Sequence, residues 1–278
     1  MLHTTVELRP DYSKAGISHS DSVARLTTYI IDHHSDFRGD KTRPMILICP
    51  GGGYTHLSSR EAEPIALRMN AHGYNACILY YSLAPDKYPS QLIEAAMAVD
   101  YIKKHAEEWH VNTDKICICG FSAGAHVAGS LGTMWKDDII TKTLGQKSED
   151  YRPSCMLLAY PVITAGEFAH RGSFDALVGG DEKMYDTVSL EKRVNDDTVP
   201  TFIWHTFEDG AVPVENSLLM AGALRKYKIP CELHIFAKGC HGLALATEET
   251  ACLTGREIQP ECACWPELFA TWFDNMAI

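Results

Sequence analysis

The pentad Gly120-Phe121-Ser122-Ala123-Gly124 holds the side chain best placed to do chemistry. It follows the apolar run Ile116-Cys117-Ile118-Cys119 and precedes a segment rich in Ala and Gly. A strand, a sharp turn and a helix in that order lift one hydroxyl clear of the backbone at the carboxyl edge of a sheet. The helix then aims its N-terminus at developing negative charge. The two glycines permit the turn, because a side chain at either place would clash. An inert serine in a Gly-rich turn is the plainer alternative, and the strand before it and helix after it weigh against that.

A serine hydroxyl is a poor nucleophile until a base takes its proton. The base is expected to be a late His, preceded by an acid. His241 follows the run Glu232–Phe236, and Asp209 follows the run Thr201–His205. Both fall on loops at the carboxyl ends of strands, the edge where Ser122 emerges. Asp209 is preferred to the adjacent Glu208, because Asp is the more frequent acid in this order. His205, His126 and His234 are read as structural. A third element, Pro50-Gly51-Gly52-Gly53-Tyr54, follows the run Met45–Cys49. The N–H groups of Gly52 and Gly53, with that of Ala123, are candidate donors to an oxyanion, each worth about 3 kcal/mol of barrier. Tyr54, Val212 and Leu243 adjoin these loops and are expected to line a substrate pocket.

Together these motifs resemble the α/β-hydrolase superfamily, in particular its small esterases near the carbohydrate (xylan) acetylesterases. The resemblance runs from about Met45 to the last helix. It implies Ser122 as nucleophile, His241 as general base and acid, Asp209 as its partner, and an oxyanion hole at Gly52, Gly53 and Ala123. Two departures stand out. The His usual before the glycines is Pro50 here, so the loop would be held differently. The Tyr-Arg pair usual after the next strand is Tyr81-Ser82, which favours the sugar-esterase branch over the lipase-like one.

The elements that must position these residues are legible as alternation. Apolar runs at Met45–Cys49, Ala76–Tyr81, Lys115–Cys119, Met156–Val162, Thr201–His205 and Glu232–Phe236 have the length of buried strands. Val6–Leu8 and Thr27–Ile31 would add antiparallel edge strands. Helical spacing marks Glu61–His72, Ser90–His105, Ala123–Trp135, Glu215–Tyr227 and Pro266–Met276, with Ile65, Ala66, Leu67 and Met69 inward in the first. The expectation is one α/β-hydrolase domain over 1–278, a mostly parallel twisted sheet with helices on both faces. The stretch 165–200 breaks the alternation and is expected to form a small cap with a short helix over Tyr185–Val194.

Composition sets the limits. The chain of 278 residues has 25 Lys+Arg against 36 Asp+Glu, a net charge of −11. That balance disfavours nucleic-acid binding, which needs clustered cations. No apolar run approaches the roughly 20 residues of a membrane span. Met1–Gly16 lacks an apolar signal core, which points to a cytoplasmic protein with its 10 cysteines reduced. Cys240, Cys252, Cys262 and Cys264 lack paired metal-binding spacing, so no metal is expected. The serine mechanism needs no cofactor. The expected partner is a small-molecule ester with a short acyl group, and a homodimer is compatible with the exposed edge strands. A small amide or peptide is the alternative substrate, and a non-catalytic binding protein is the rival from another class.

Overall fold

The computed structural model describes residues 1–276. Its strands are β1 (Thr5–Leu8), β2 (Ala24–Tyr29), β3 (Arg43–Cys49), β4 (Asn75–Tyr80), β5 (Val111–Phe121), β6 (Cys155–Ala159), β7 (Thr201–Thr206) and β8 (Cys231–Phe236). They form one eight-stranded sheet in the order β1-β2-β4-β3-β5-β6-β7-β8. From β4 to β8 every pairing is parallel, while β1 and β2 join antiparallel. β1 is therefore an edge strand as expected, but β2 lies inside the sheet between β1 and β4.

Period-two alternation divides the core into two layers. On β3, Met45, Leu47 and Cys49 face one layer, and Ile46 and Ile48 face the other. On β5, Cys117 and Cys119 share a face with Phe121, as small buried hydrophobes. The helices Ser90–Lys104, Ala123–Met134 and Glu215–Lys226 cover the first layer. Glu63–Ala71 and Trp265–Asn275 cover the second. Leu67 departs from expectation: it is exposed, because the helical period turns it away from the stripe of Ile65, Ala66 and Met69. Cys231, at the edge strand β8, is exposed as well, and all ten cysteines are unpaired.

The stretch 165–200 holds a helix that sequence reading missed, Arg171–Val178, whose Phe174, Leu177 and Val178 are buried. The expected helix Tyr185–Val194 divides into Tyr185–Val188 and a tighter turn at Leu190–Lys192. The break has a cause: the Leu190 N–H bonds the Ile163 carbonyl at 3.0 Å instead of continuing the helix, and the Ser189 hydroxyl accepts the Ala165 N–H. No described helix is long and apolar enough to cross a membrane.

Candidate active site

β5 ends at Phe121, and Ser122 caps the helix Ala123–Met134 with φ at 54°. That left-handed conformation is costly for a residue with a Cβ. It is held by the Ser122 N–H donating to Ala159 O at 3.0 Å and by Ala125 N–H donating back to Ser122 O at 3.0 Å. A side chain on Gly120 would collide with the Gly124 backbone, and one on Gly124 with the carbonyls of Cys49 and Pro50. The glycines thus let β3, β5 and the helix meet at a spacing no other residue allows.

Ser122, His241 and Asp209 come from three loops and meet. Ser122 Oγ lies 2.8 Å from His241 Nε2, and His241 Nδ1 lies 2.6 Å from Asp209 Oδ2. The carboxylate can only accept, so Nδ1 carries the proton and Nε2 is free to receive one from Ser122. Asp209 is fixed in turn: its Oδ1 accepts the N–H groups of Ala211 and Val212, each at 2.9 Å. Its Oδ2 also receives His205 Nε2 at 3.1 Å. Burial alone would raise the Asp209 carboxyl. The hydrogen bonds from His205 and His241, the His241 charge and the Val212 amide outweigh it and hold the group well below the usual carboxylate range.

His205 and His126 are both held in structural hydrogen bonds. His205 is buried, and its Nδ1 meets the Ser217 hydroxyl at 2.8 Å. His126 donates from Nε2 to Val188 O at 2.7 Å and accepts the Tyr54 hydroxyl on Nδ1 at 2.7 Å. Burial lowers its pKa to about 4 against the smaller opposing effect of the Val188 bond, so the ring is neutral. His126 thereby ties the glycine loop, the elbow helix and the 165–200 stretch together.

The glycine loop sits beside Ser122. Among the described residues the N–H groups of Gly52 and Gly53 have no protein partner, and both glycines line the cleft above the serine. Ala123 opens the helix, where its N–H has no intrahelical acceptor. The three expected pocket residues are elsewhere. Tyr54, Val212 and Leu243 are buried in the interior. Tyr54 is turned away to His126, Val212 spends its N–H on Asp209 and its carbonyl on His205, and Leu243 packs in the second layer. A residue next to a catalytic loop in sequence is as readily an anchor of that loop as a wall of the pocket.

The cleft itself has a volume of about 470 Å³ and is lined by Thr55, His56, Ser58, Arg60, Glu61, His170 and Arg256 around Ser122 and His241. Sequence reading did not bring these seven side chains together, because they come from separate segments. His170, from the 165–200 stretch, bonds the Ser173 hydroxyl through Nδ1 at 2.8 Å. Its Nε2 has no partner among the described residues. Burial, then the neighbouring His241, lowers its pKa and keeps it neutral.

The BD-FAE family model matches residues 31–224. The chain belongs to that family. A solved structure of an acetyl ester-xyloside bifunctional hydrolase from Caldicellulosiruptor lactoaceticus superposes with a TM-score of 0.82 at 36% identity, covering 98% of this chain and 95% of that one. A carboxylesterase from Lactobacillus plantarum gives 0.85 at 29% identity, covering 99% and 97%. An endo-1,4-beta-xylanase B from Butyrivibrio fibrisolvens is 40% identical over 82% of this chain, which spans only 36% of that protein. The fold of this BD-FAE member is thus that of the α/β-hydrolases, with the sheet, elbow and His loop in the places expected.

Proposed function

We propose that the chain is a serine esterase that removes short acyl groups, acetyl foremost, from a polar, hydroxyl-rich alcohol such as a sugar. One observation carries this reading: a hydroxyl, an imidazole and a carboxylate in hydrogen-bonded relay open into a cleft lined by polar side chains. No Leu, Ile, Val, Met or aromatic ring other than imidazole lines that cleft among the described residues. A fatty acyl chain would find no large apolar side chain there to pack against.

The chemistry follows from the positions. Ser122 Oγ attacks the acyl carbon while its proton passes to His241 Nε2. The carbonyl oxygen, now negative, faces the N–H groups of Gly52, Gly53 and Ala123. As the tetrahedral centre collapses, His241 returns the proton to the departing alcohol and leaves the acyl group on Ser122. A water then gives its proton to His241 and attacks the acyl carbon, freeing the acid and restoring the serine. The stretch 165–200 acts as a small cap within a single domain, placing His170 over the reacting group.

The names of two relatives also mention xyloside or xylan cleavage. Glycoside hydrolysis on the usual plan needs two carboxyl groups flanking the bond, and Glu61 is the only acid lining this cleft among the described residues. Ester cleavage is therefore favoured. The test is a series of 4-nitrophenyl esters from C2 to C12, with acetylated xylose, 4-nitrophenyl xyloside and a 4-nitroanilide alongside. The reading expects activity to peak at C2 and to extend to the sugar acetate. Turnover restricted to long chains, to the xyloside or to the anilide would overturn it.

A further inference from the structure

Glu61 is almost wholly buried, at 3% exposure, beside the reaction centre. Neither ordinary role of a buried carboxylate accounts for it. No cation lies within ion-pair distance among the described residues, and the adjacent Arg60 turns instead to Glu257. It is also no part of the relay through Asp209. Each of its oxygens nevertheless has one donor. Oε2 accepts the Gly51 N–H at 2.8 Å, and Oε1 accepts the Tyr160 hydroxyl at 2.7 Å. Tyr160 Oη accepts the Ala244 N–H at 3.0 Å, and the Tyr160 ring packs edge-on to His241 with centroids 5.1 Å apart.

These contacts join three loops. Gly51 begins the loop that carries Gly52 and Gly53. Tyr160 follows β6 with φ at 36°, next to Ala159, whose carbonyl holds the Ser122 N–H. Ala244 belongs to the loop of His241. The peptide between Pro50 and Gly51 is gripped on both sides: the Tyr81 hydroxyl donates to Pro50 O at 2.6 Å, and Gly51 N–H donates to Glu61. With that plane fixed, the next two N–H groups have a set direction. Pro50 has no side chain able to hold the loop by hydrogen bonds, so the grip has to come from outside it.

The residue type also fits. Donors approach Glu61 from two sides, and only a carboxylate can accept at both oxygens; a glutamine would present an N–H to one of them. Space is equally exact in its demands: a Cβ on Gly51 would lie 2.7 Å from Glu61 Oε2 and 2.9 Å from Ser122 Cβ. We infer that Glu61 is the positioning residue of the oxyanion loop, linking Gly51 through Tyr160 to the loop of His241. This inference rests on the serine-esterase reading above.

The test uses the full chain with 4-nitrophenyl acetate and three variants: Glu61→Gln, Tyr160→Phe and the double variant. Donors misaligned with the oxyanion lose stabilisation of the transition state and little of the ground state. Glu61→Gln should lower kcat by about 30-fold and Tyr160→Phe by about tenfold, each with KM within about twofold. Because the two residues form one chain, the double variant should match Glu61→Gln rather than show the product of both losses. Losses confined to KM, losses that multiply, or a folded Tyr160→Phe enzyme with unchanged kcat would each overturn the inference. Should Glu61→Gln not fold, Tyr160→Phe decides alone, since it keeps the ring and removes only the link. Ser122→Ala separates the two levels: if it stays active, the esterase reading fails; if it is inactive while the other variants keep full kcat, only the role of Glu61 fails.

Discussion

Ser122, His241 and Asp209 stand on loops that leave one edge of one sheet, each directly after a parallel strand or one short loop beyond it. The side chains that face them across the cleft have no such common frame. Thr55 and His56 come from the long connection between β3 and β4, His170 from the stretch 165–200, and Arg256 from the irregular segment before the last helix. The first region is tied to backbone that cannot shift without breaking the sheet. The second is hung from loops, whose residues can change with little cost to the fold. Reaction type therefore belongs to the rigid region, and choice of substrate to the adaptable one.

Variants can break that division or sharpen it. Ser122→Ala should lower kcat with 4-nitrophenyl acetate by about 10⁶-fold while the thermal midpoint stays within a few degrees. Asp209→Asn should cost up to about 10⁴-fold, because His241 loses the acceptor that fixes its tautomer; if Glu208→Gln does this instead, the acid has been misassigned. His205→Asn removes one donor from Asp209 and should lower kcat by about tenfold. On the other side of the cleft, His170→Ala should raise KM for a sugar acetate by about fivefold with kcat within about twofold, roughly the worth of one hydrogen bond. A large fall in kcat from His170→Ala would place it in the reaction centre and erase the contrast.

The smallest effect is on stability and concerns the anchor between the two regions. His126 stays neutral in the folded chain down to about pH 4, whereas in the unfolded chain it takes up a proton below about pH 6.5. The unfolded state thus binds more protons across that window, and stability falls as pH falls from about 6.5 to 4, by roughly 3 kcal/mol at most. Denaturant melts at pH 7 and pH 4.5 measure the loss. His126→Gln should flatten the difference, and a slope unchanged in that variant would remove His126 as its source.

Much of this was legible in the order of residues. Short apolar runs located the six parallel strands within a few residues, because a strand in the middle of a covered parallel sheet leaves little choice of side chain. The pentad around Ser122, the glycine run and the late Asp and His were visible because each needs a residue type that few others replace. The partners of those residues were hidden. Nothing in the sequence says that Glu61 lies under Gly51, that Asp209 serves two histidines, or that His170 reaches the cleft, since each contact depends on how irregular loops fold back and not on a repeating local pattern. Tyr54, Val212 and Leu243 show the converse: nearness in sequence suggested a pocket wall, and packing turned them inward.

The sequence by itself determined the sheet, the elbow and the serine that the elbow presents, because apolar runs and glycine placement are local constraints that the backbone must obey. The tertiary structure alone decided the convergence of the three loops, the polar lining of the cleft and the second use of a buried carboxylate. Those depend on how distant segments pack, and packing distance is not written in any local run of residues.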